Sequence, residues 1–176
     1  MKNTTLFLLG MITLFGCEEI DELTQFQMDY EANFTVDAAT DLSVPFEIGT
    51  PDIPTYSVST FAANETRKDL VEEIKLTKLD LFLESPEKSD LGFLKSIEIF
   101  IQAEGQEETR IAWVDEVPDA VGDYLPLNVS NTDLKEYITP DNFSLRVATV
   151  TDELITTDHE IKIESSFFVD AKILGQ

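Results

Sequence analysis

Apolar and polar residues alternate with a period of two along much of this chain of 176 residues. The clearest case is the segment 25–36, in which apolar side chains at the even positions alternate with polar side chains at the odd positions. The segment 161–173 alternates in the same way, except that Phe168 stands on the polar side. Successive side chains of a β-strand point to opposite faces, so each segment predicts a long strand with one buried and one solvated face.

Shorter alternating segments between these two predict further strands at 44–48, 56–61, 74–84, 95–103, 109–114, 124–129 and 143–150. Within 74–84 the apolar phase changes after Leu76, which is typical of a β-bulge near Thr77 and Lys78. Gly105-Gln106 lies between two of the alternating segments and indicates a hairpin.

Helical patterns are few. Thr132–Ile138 predicts one or two helical turns, capped by Asn131 or Thr132 and ended by Pro140. The segment 64–71 predicts another brief turn.

Eight or nine strands at regular spacing with so little helix predict an all-β fold, an antiparallel β-sandwich of the Ig-like or jelly-roll-like type, as one domain over residues 25–176. With a single cysteine the immunoglobulin disulfide is absent, so a hydrophobic core must supply the stability.

The first residues follow a different pattern. After Lys2, an apolar run from Leu6 to Phe15 is too short for a membrane-spanning helix, which needs roughly 20 residues, and is typical of a signal peptide. Leu14-Phe15-Gly16-Cys17 resembles the lipobox of bacterial lipoproteins, whose cysteine thiol is lipidated and becomes the new N-terminus. The resemblance implies a signal peptide at 1–16, a lipid on Cys17 and a tether over 17–24. An ordinary secretory signal followed by an unpaired cysteine is the alternative.

Four acids follow the cysteine: Glu18, Glu19, Asp21 and Glu22. They resemble the acidic surface-export signal of some Gram-negative lipoproteins, which implies an outer-membrane protein displayed on the cell surface. The alternatives are the periplasmic face of the outer membrane for the location, and a solvated, self-repelling tether for the acids. Acyl chains on the cysteine would anchor the chain stably, since each buried methylene contributes ~0.8 kcal/mol.

The charge balance limits the partners. Thirty-five acidic and twelve basic residues give a net charge of −23, which argues against nucleic acid as a partner. Direct attachment to anionic lipid headgroups is disfavoured for the same reason, so the lipid anchor is the expected contact with the membrane.

Candidates for catalysis are sparse, and we predict no enzyme activity and no cofactor. His159, the only histidine, shares the phase of the buried residues of the last segment, so we expect it at a sheet margin rather than as a catalytic base. Glu19-Ile20-Asp21 begins the Glu-x-Asp-x-x-Glu pattern of laminarinase-type glycosidases, but Thr24 stands at its last position.

Two weaker binding candidates remain. The acidic segment 115–123 is either a calcium loop or a solvated loop. Trp113, the only tryptophan, is expected in the core, while Tyr56, Tyr124 and Tyr137 lie near loops and are candidates for a binding patch. We therefore expect a non-enzymatic binding or scaffolding protein with a protein or glycan partner. A carbohydrate-binding accessory protein for glycan uptake is the alternative, and a sandwich hydrolase comes third.

Overall fold

The structure, a computed structural model, describes residues 25–38 and 43–172. Within these residues the elements are β1 (Gln25–Val36), β2 (Phe46–Gly49), β3 (Ile53–Pro54), α1 (Ser57–Ala63), a 3-10 turn (Lys68–Leu70), β4 (Val71–Ser85), β5 (Leu94–Gln102), β6 (Thr109–Val114), β7 (Tyr124–Pro126), β8 (Asn128–Val129), α2 (Lys135–Ile138), β9 (Asn142–Thr151) and β10 (His159–Ala171). The predicted long strands and most of the shorter ones are confirmed.

The strands form two antiparallel sheets. The first has the order β1-β10-β4-β7, and the second has the order β2-β9-β5-β6-β8, with β3 pairing beside β2 on the same strand, β9. The chain is therefore an all-β antiparallel sandwich, as the alternation predicts. β1 forms one edge of the first sheet, and its strand partner is β10, the last strand along the chain.

The core lies between the inner faces of the two sheets. Tyr30 of β1 contacts Phe143 of β9 at 5.2 Å between ring centroids and Phe167 of β10 at 5.6 Å, both edge to face, so one aromatic cluster spans both sheets. Ile99 and Val147 of the second sheet are fully buried. Each such apolar side chain contributes about 1.5–3 kcal/mol to folding, so the alternation is also the main source of stability.

The predicted β-bulge in β4 is confirmed at Thr77. Opposite β10, Leu76 pairs with Phe167 and Lys78 pairs with Ser166, which leaves Thr77 as the additional residue. Its hydroxyl donates a hydrogen bond to the Ser166 carbonyl at 3.0 Å. The inserted residue keeps the apolar side chains on both sides of the phase change facing the core.

The hairpin between β5 and β6 is also confirmed. Gly105 has φ 77°, a left-handed conformation that side chains disfavour, and the backbone amide of Gln106 donates to the Ala103 carbonyl at 3.1 Å. The turn directs β6 back along β5.

The strand predicted at 56–61 is wrong, because this segment forms α1. Only Ser57 and Phe61 of the helix are buried, and they lie four residues apart on one helical face. Tyr56, which starts the helix with φ 49°, and Val58 are exposed at 69% and 65%. The apparent alternation of this segment therefore does not correspond to two sheet faces.

The second helix is shorter than predicted, Lys135–Ile138 rather than 132–138, and its N-cap residue is Leu134, which makes no side-chain capping hydrogen bond. The Asp133 carboxylate, rather than Asn131 or Thr132, accepts the Lys135 amide at 3.0 Å and the Ile74 amide at 3.1 Å. One carboxylate thus starts the helix and fixes it to β4. The turn predicted within 64–71 is confirmed as the 3-10 turn. None of the helices within 25–38 and 43–172 has the length and apolar character needed to cross a bilayer.

Candidate functional site

The candidate lipid-attachment residue Cys17 and the candidate export signal Glu18, Glu19, Asp21 and Glu22 lie outside the described residues. The described part of the chain begins at Gln25. Gln25, the first residue of β1, pairs with Asp170 near the end of β10, and the next residue, Phe26, contacts Phe61 of α1 at 6.1 Å. Residue 25 therefore lies at the end of the sandwich that carries α1.

A groove runs along the outer edge of β1 and is called the edge groove below. One wall is the continuous segment 27–33, and the other is the segment 51–56 with Thr60. It comprises two adjoining cavities of ≈ 440 Å³ and ≈ 460 Å³, which share Glu31, Ile53 and Pro54. These volumes are in the range of ligand sites.

The two walls of the edge groove are fixed to each other by Tyr30. Its hydroxyl donates a hydrogen bond to the Thr55 carbonyl on the opposite wall at 3.0 Å. Burial raises the pKa of this phenol above its usual range, so it remains a protonated donor. The Thr55 hydroxyl in turn donates to the Pro140 carbonyl at 2.5 Å, which ties the second wall to the segment after α2.

The edge groove carries negative charge. Four exposed acidic side chains border it: Asp29, Glu31, Asp52 and Glu84. The basic side chain that lines it, Lys162, is already paired with Glu164 at 2.6 Å, and that hydrogen bond is the main cause that raises the lysine pKa. The groove therefore favours a cationic occupant.

A second surface, the arginine–aromatic face, lies on the outer side of the second sheet and consists of Glu98, Phe100, Arg110, Trp113 and Arg146. The Arg110 guanidinium stacks 4.7 Å from the centroid of the Trp113 ring and is ion-paired with Glu98. Trp113 is half-buried beneath it. Such stacking is worth about 0.5–1 kcal/mol at an exposed site.

Arg146 forms the other half of this face. Its guanidinium lies 4.1 Å from the Phe100 ring centroid and binds Glu47 at 2.7 Å and Glu108 through two nitrogens, with Nε at 2.7 Å. The hydrogen bond from Arg146 lowers the pKa of the Glu108 carboxyl, and the same bond raises the arginine pKa. The face thus combines two rings covered by guanidinium groups with fixed polar groups, which suits planar contacts and hydrogen bonds with a sugar or a protein side chain.

The expectation that Trp113 belongs to the core is wrong. The pairing of β5 with β6 shifts between Ile99 and Phe100, so that β6 holds one additional residue, Ile111. Ile111 and Ala112 are both fully buried, and Trp113 falls opposite Glu98 on the outer face. Two consecutive apolar residues before Trp113 are the local signal for this second bulge.

The outer face of the first sheet carries a third cluster around Asp80, whose side chain is only 3% exposed. Its carboxylate accepts the Tyr124 hydroxyl at 3.0 Å and pairs with the Lys78 ammonium at 2.7 Å. These hydrogen bonds are the main causes that raise the pKa values of both partners. Tyr124 also packs on Phe82, with ring centroids 5.1 Å apart.

His159 lies at the sheet margin, as predicted, and is 4% exposed. Its Nε2 contacts the Ser89 hydroxyl at 2.8 Å, and its Nδ1 contacts the Thr157 carbonyl at 2.9 Å. The ring packs on Phe93 at 4.6 Å between centroids. Both ring nitrogens therefore bind groups of the protein itself.

Sequence analysis missed the pairing of Ser89 with His159, which are 70 positions apart and share no motif. A serine hydroxyl on an imidazole nitrogen is the contact that nucleophilic catalysis uses, but the neighbouring carboxylate does not orient the ring. Asp158 instead accepts the backbone amide of Ala38 at 2.8 Å. The geometry is that of a hydrogen-bonded loop anchor.

The acidic segment 115–123 folds against the β4–β5 connection. Val117 is buried and its amide donates to the Lys95 carbonyl at 3.0 Å, while the Leu91 amide donates to the Gly122 carbonyl at 2.8 Å. The carboxylates of the loop are exposed: Asp115, Glu116, Asp119 and Asp123. No group of three or more histidine, cysteine or acidic side chains within the described residues is placed to hold a metal ion.

The three candidate tyrosines occupy different places. Tyr56 lines the edge groove, Tyr124 belongs to the Asp80 cluster, and Tyr137 is buried, with its hydroxyl donating to the Glu107 carbonyl at 2.6 Å. The structure therefore does not bring them into one patch.

Comparisons with known proteins add little. No family model and no curated protein matches the chain. Among solved structures, FlhE is 6% identical over 84% of this chain and 98% of its own, with a TM-score of 0.37. The structure of desmodium yellow mottle tymovirus is 12% identical in sequence, and the match covers 100% of this chain and 93% of the viral chain, with a TM-score of 0.27. The structure of the empty head of turnip yellow mosaic virus is 9% identical in sequence, and the match covers 98% of this chain and 92% of the viral chain, with a TM-score of 0.29. At these TM-scores no functional argument rests on the similarities.

Proposed function

We propose that this chain is a lipid-anchored lipoprotein of the outer membrane that acts by binding or scaffolding rather than by catalysis. The observation that carries the proposal is the lipobox-like segment Leu14-Phe15-Gly16-Cys17, which supports an acyl anchor on Cys17, just before the domain. The acids after the cysteine favour display on the cell surface, with the periplasmic face as the alternative location.

The position of β1 supports this arrangement. The first strand begins at Gln25, so only residues 18–24 separate it from Cys17. Seven extended residues reach at most ~25 Å, so the α1 end of the sandwich would stay close to the bilayer. A domain held so near a membrane is suited to contacts with other components of that membrane.

Substitution of the cysteine tests the anchor. We expect Cys17→Ala to move the protein from the membrane fraction to the soluble fraction, because the acyl chains have no attachment point. The variant Thr24→Ala, outside the lipobox and in the same tether, serves as the matched control and should stay in the membrane fraction. Intact mass spectrometry of the purified product should show an acylated N-terminus only in the control. Unchanged fractionation of Cys17→Ala would refute the anchor.

A carbohydrate-binding accessory role in glycan uptake is the second candidate, and the arginine–aromatic face favours it. Trp113 and Phe100 are both partly exposed on one sheet face, beside guanidinium and carboxylate groups that can hydrogen-bond hydroxyls. Trp113→Ala should then abolish retention on a glycan array, while Trp113→Phe should retain part of it. Equal glycan binding by the wild type and Trp113→Ala would exclude this face.

A further inference from the structure

We propose that the edge groove takes an extended, basic polypeptide segment, which adds to β1 as a further strand of the first sheet. The inference rests on the proposed binding function and gives it a partner chemistry. It places that partner on a different surface from the arginine–aromatic face.

β1 has a free edge within the part of the chain that the structure describes. The strand is 12 residues long, pairs with β10 along its full length on one side, and ends the first sheet on the other. An edge strand presents backbone amide and carbonyl groups that another extended chain can pair with. Within the described residues, β1 has no strand on that side.

The shape of the edge groove suits an extended segment. The edge groove follows seven consecutive residues of β1, 27–33, which corresponds to roughly 23 Å of extended chain. Consecutive residues line it because it follows the backbone edge rather than one face of the strand. Pro51 and Pro54 of the opposite wall lack backbone amides, so this wall competes less for the carbonyl groups of an incoming segment.

The two walls of the edge groove are joined by side-chain contacts. The hydrogen bond from Tyr30 to the Thr55 carbonyl closes the groove towards the core and holds the walls at a fixed separation. Ile53 of the opposite wall is 7% exposed and belongs to the same hydrophobic core cluster as Met28 and Tyr30 of β1. A preformed groove reduces the ordering cost of an incoming strand.

The negative charge of the edge groove favours a basic occupant. Asp29 and Glu31 point outward from β1, while Asp52 and Glu84 border the same groove. These carboxylates would repel an acidic segment and would not attract a neutral one. In a basic segment, lysines at alternate positions would each meet a carboxylate. The same acids protect the edge against pairing with a second copy of this acidic chain.

The test uses the full chain, purified from membranes in detergent, and a capped eight-residue peptide of alternating lysine and valine as the probe. We expect saturable binding. Amide hydrogen exchange should become slower in segment 27–33, and the exchange rates in segment 51–56 should change. A second peptide has the same sequence but N-methyl groups at alternate backbone amides, so it keeps the charge and loses the strand hydrogen bonds. It should bind at least tenfold more weakly.

Two double variants of the protein distinguish the effect of charge in the edge groove from the effect of the net charge of the protein. Asp29→Lys with Glu31→Lys should weaken the lysine–valine peptide at least tenfold and admit a glutamate–valine peptide. Asp115→Lys with Glu116→Lys changes the net charge equally in an exposed loop and should leave binding within about twofold. Circular dichroism and thermal melting of each variant report whether it is folded.

Three outcomes would overturn the proposal: equal binding of the N-methylated peptide, equal loss in both double variants, or exchange protection at the arginine–aromatic face instead of 27–33. None of them bears on the anchor, which is tested by fractionation of Cys17→Ala. The failure of one proposal is therefore distinguishable from the failure of the other.

Discussion

The hydroxyl of Tyr124 donates a hydrogen bond to the carboxylate of Asp80 at 3.0 Å, on the outer face of the first sheet. The carboxylate is almost fully buried although it lies on the side of the sheet away from the core. Lys78 and Tyr124 cover it, and both are themselves exposed. The pair joins the short edge strand β7 to β4 through side chains as well as through the backbone.

Neutralising Asp80 should therefore change the titration of Tyr124. The hydrogen bond to a carboxylate favours the protonated phenol, which raises the tyrosine pKa. In Asp80→Asn we expect that pKa to move down towards the ordinary value of about 10 for a phenol, measured by NMR titration of the ring. Asp123→Asn, a charge change at the adjacent exposed residue, is the control and should leave the Tyr124 titration in place. An unchanged pKa in Asp80→Asn would show that this hydrogen bond is not its cause.

Replacement of Gly92 by alanine, which adds a single methyl group, should destabilise the fold. A Cβ at this position would lie 2.5 Å from the Asp119 carbonyl oxygen and 2.9 Å from an Asp90 carboxylate oxygen. Gly92→Ala must displace the segment 115–123, and we expect a loss of about 1–3 kcal/mol in the free energy of unfolding, measured by urea denaturation. Gly49→Ala is the matched control, because a Cβ there meets nothing within 4 Å. Equal stability of the two variants would contradict the close approach.

The hydrogen bonds between Arg146 and Glu108 should make stability depend on pH in the acid range. The folded-state pKa of Glu108 lies below its ordinary value, so its contribution is fully present above the unfolded pKa of about 4.3 and is lost as the pH falls through the folded pKa. We expect Glu108→Gln to be less stable than the wild type by up to about 1 kcal/mol at neutral pH, because the pair is partly exposed. This difference should shrink below about pH 4.

Urea denaturation of both proteins across this pH range measures the effect. Glu104→Gln, an exposed residue of the same β5–β6 hairpin, supplies the control. A stability difference with the same pH dependence in both variants would show that the acid sensitivity does not come from Arg146.

The acids after the cysteine should matter for location and not for attachment. We expect Glu18→Gln, Glu19→Gln, Asp21→Asn and Glu22→Asn together to abolish cleavage of the protein by protease added to whole cells, while membrane fractionation stays unchanged. The loop variant Asp115→Asn, Glu116→Gln, Asp119→Asn and Asp123→Asn removes the same charge and should still be cleaved. If the tether variant is cleaved like the wild type, the acids are not an export signal.

Most of the sheet architecture follows from alternation alone. β1 and β10 alternate over their whole length because each has one face in the core, and the phase change in β4 marks the bulge at Thr77. The segment 56–61 misleads because it alternates by coincidence. The buried residues of α1 are Ser57 and Phe61, which lie four positions apart, a spacing that fits a helical turn.

The candidate surfaces are harder to predict from the sequence than the sheets. The outward position of Trp113 depends on one extra residue in β6, which reverses every side chain beyond it. The edge groove depends on which strand is left without a neighbour, and that follows from the pairing of β1 with β10, more than 120 positions away. Local patterns carry no information about such distant pairings.

The central place of β10 in the first sheet has a consequence for how the chain acquires its fold. β1 and β4 both pair with this strand, and β10 is the strand partner of β1 within the described residues, so the first strand is held in the sheet only when the strand at the other end of the chain has formed. Contacts between such distant positions are slow to form. The first sheet therefore closes late in folding, once β10 has joined the N-terminal strand to β4.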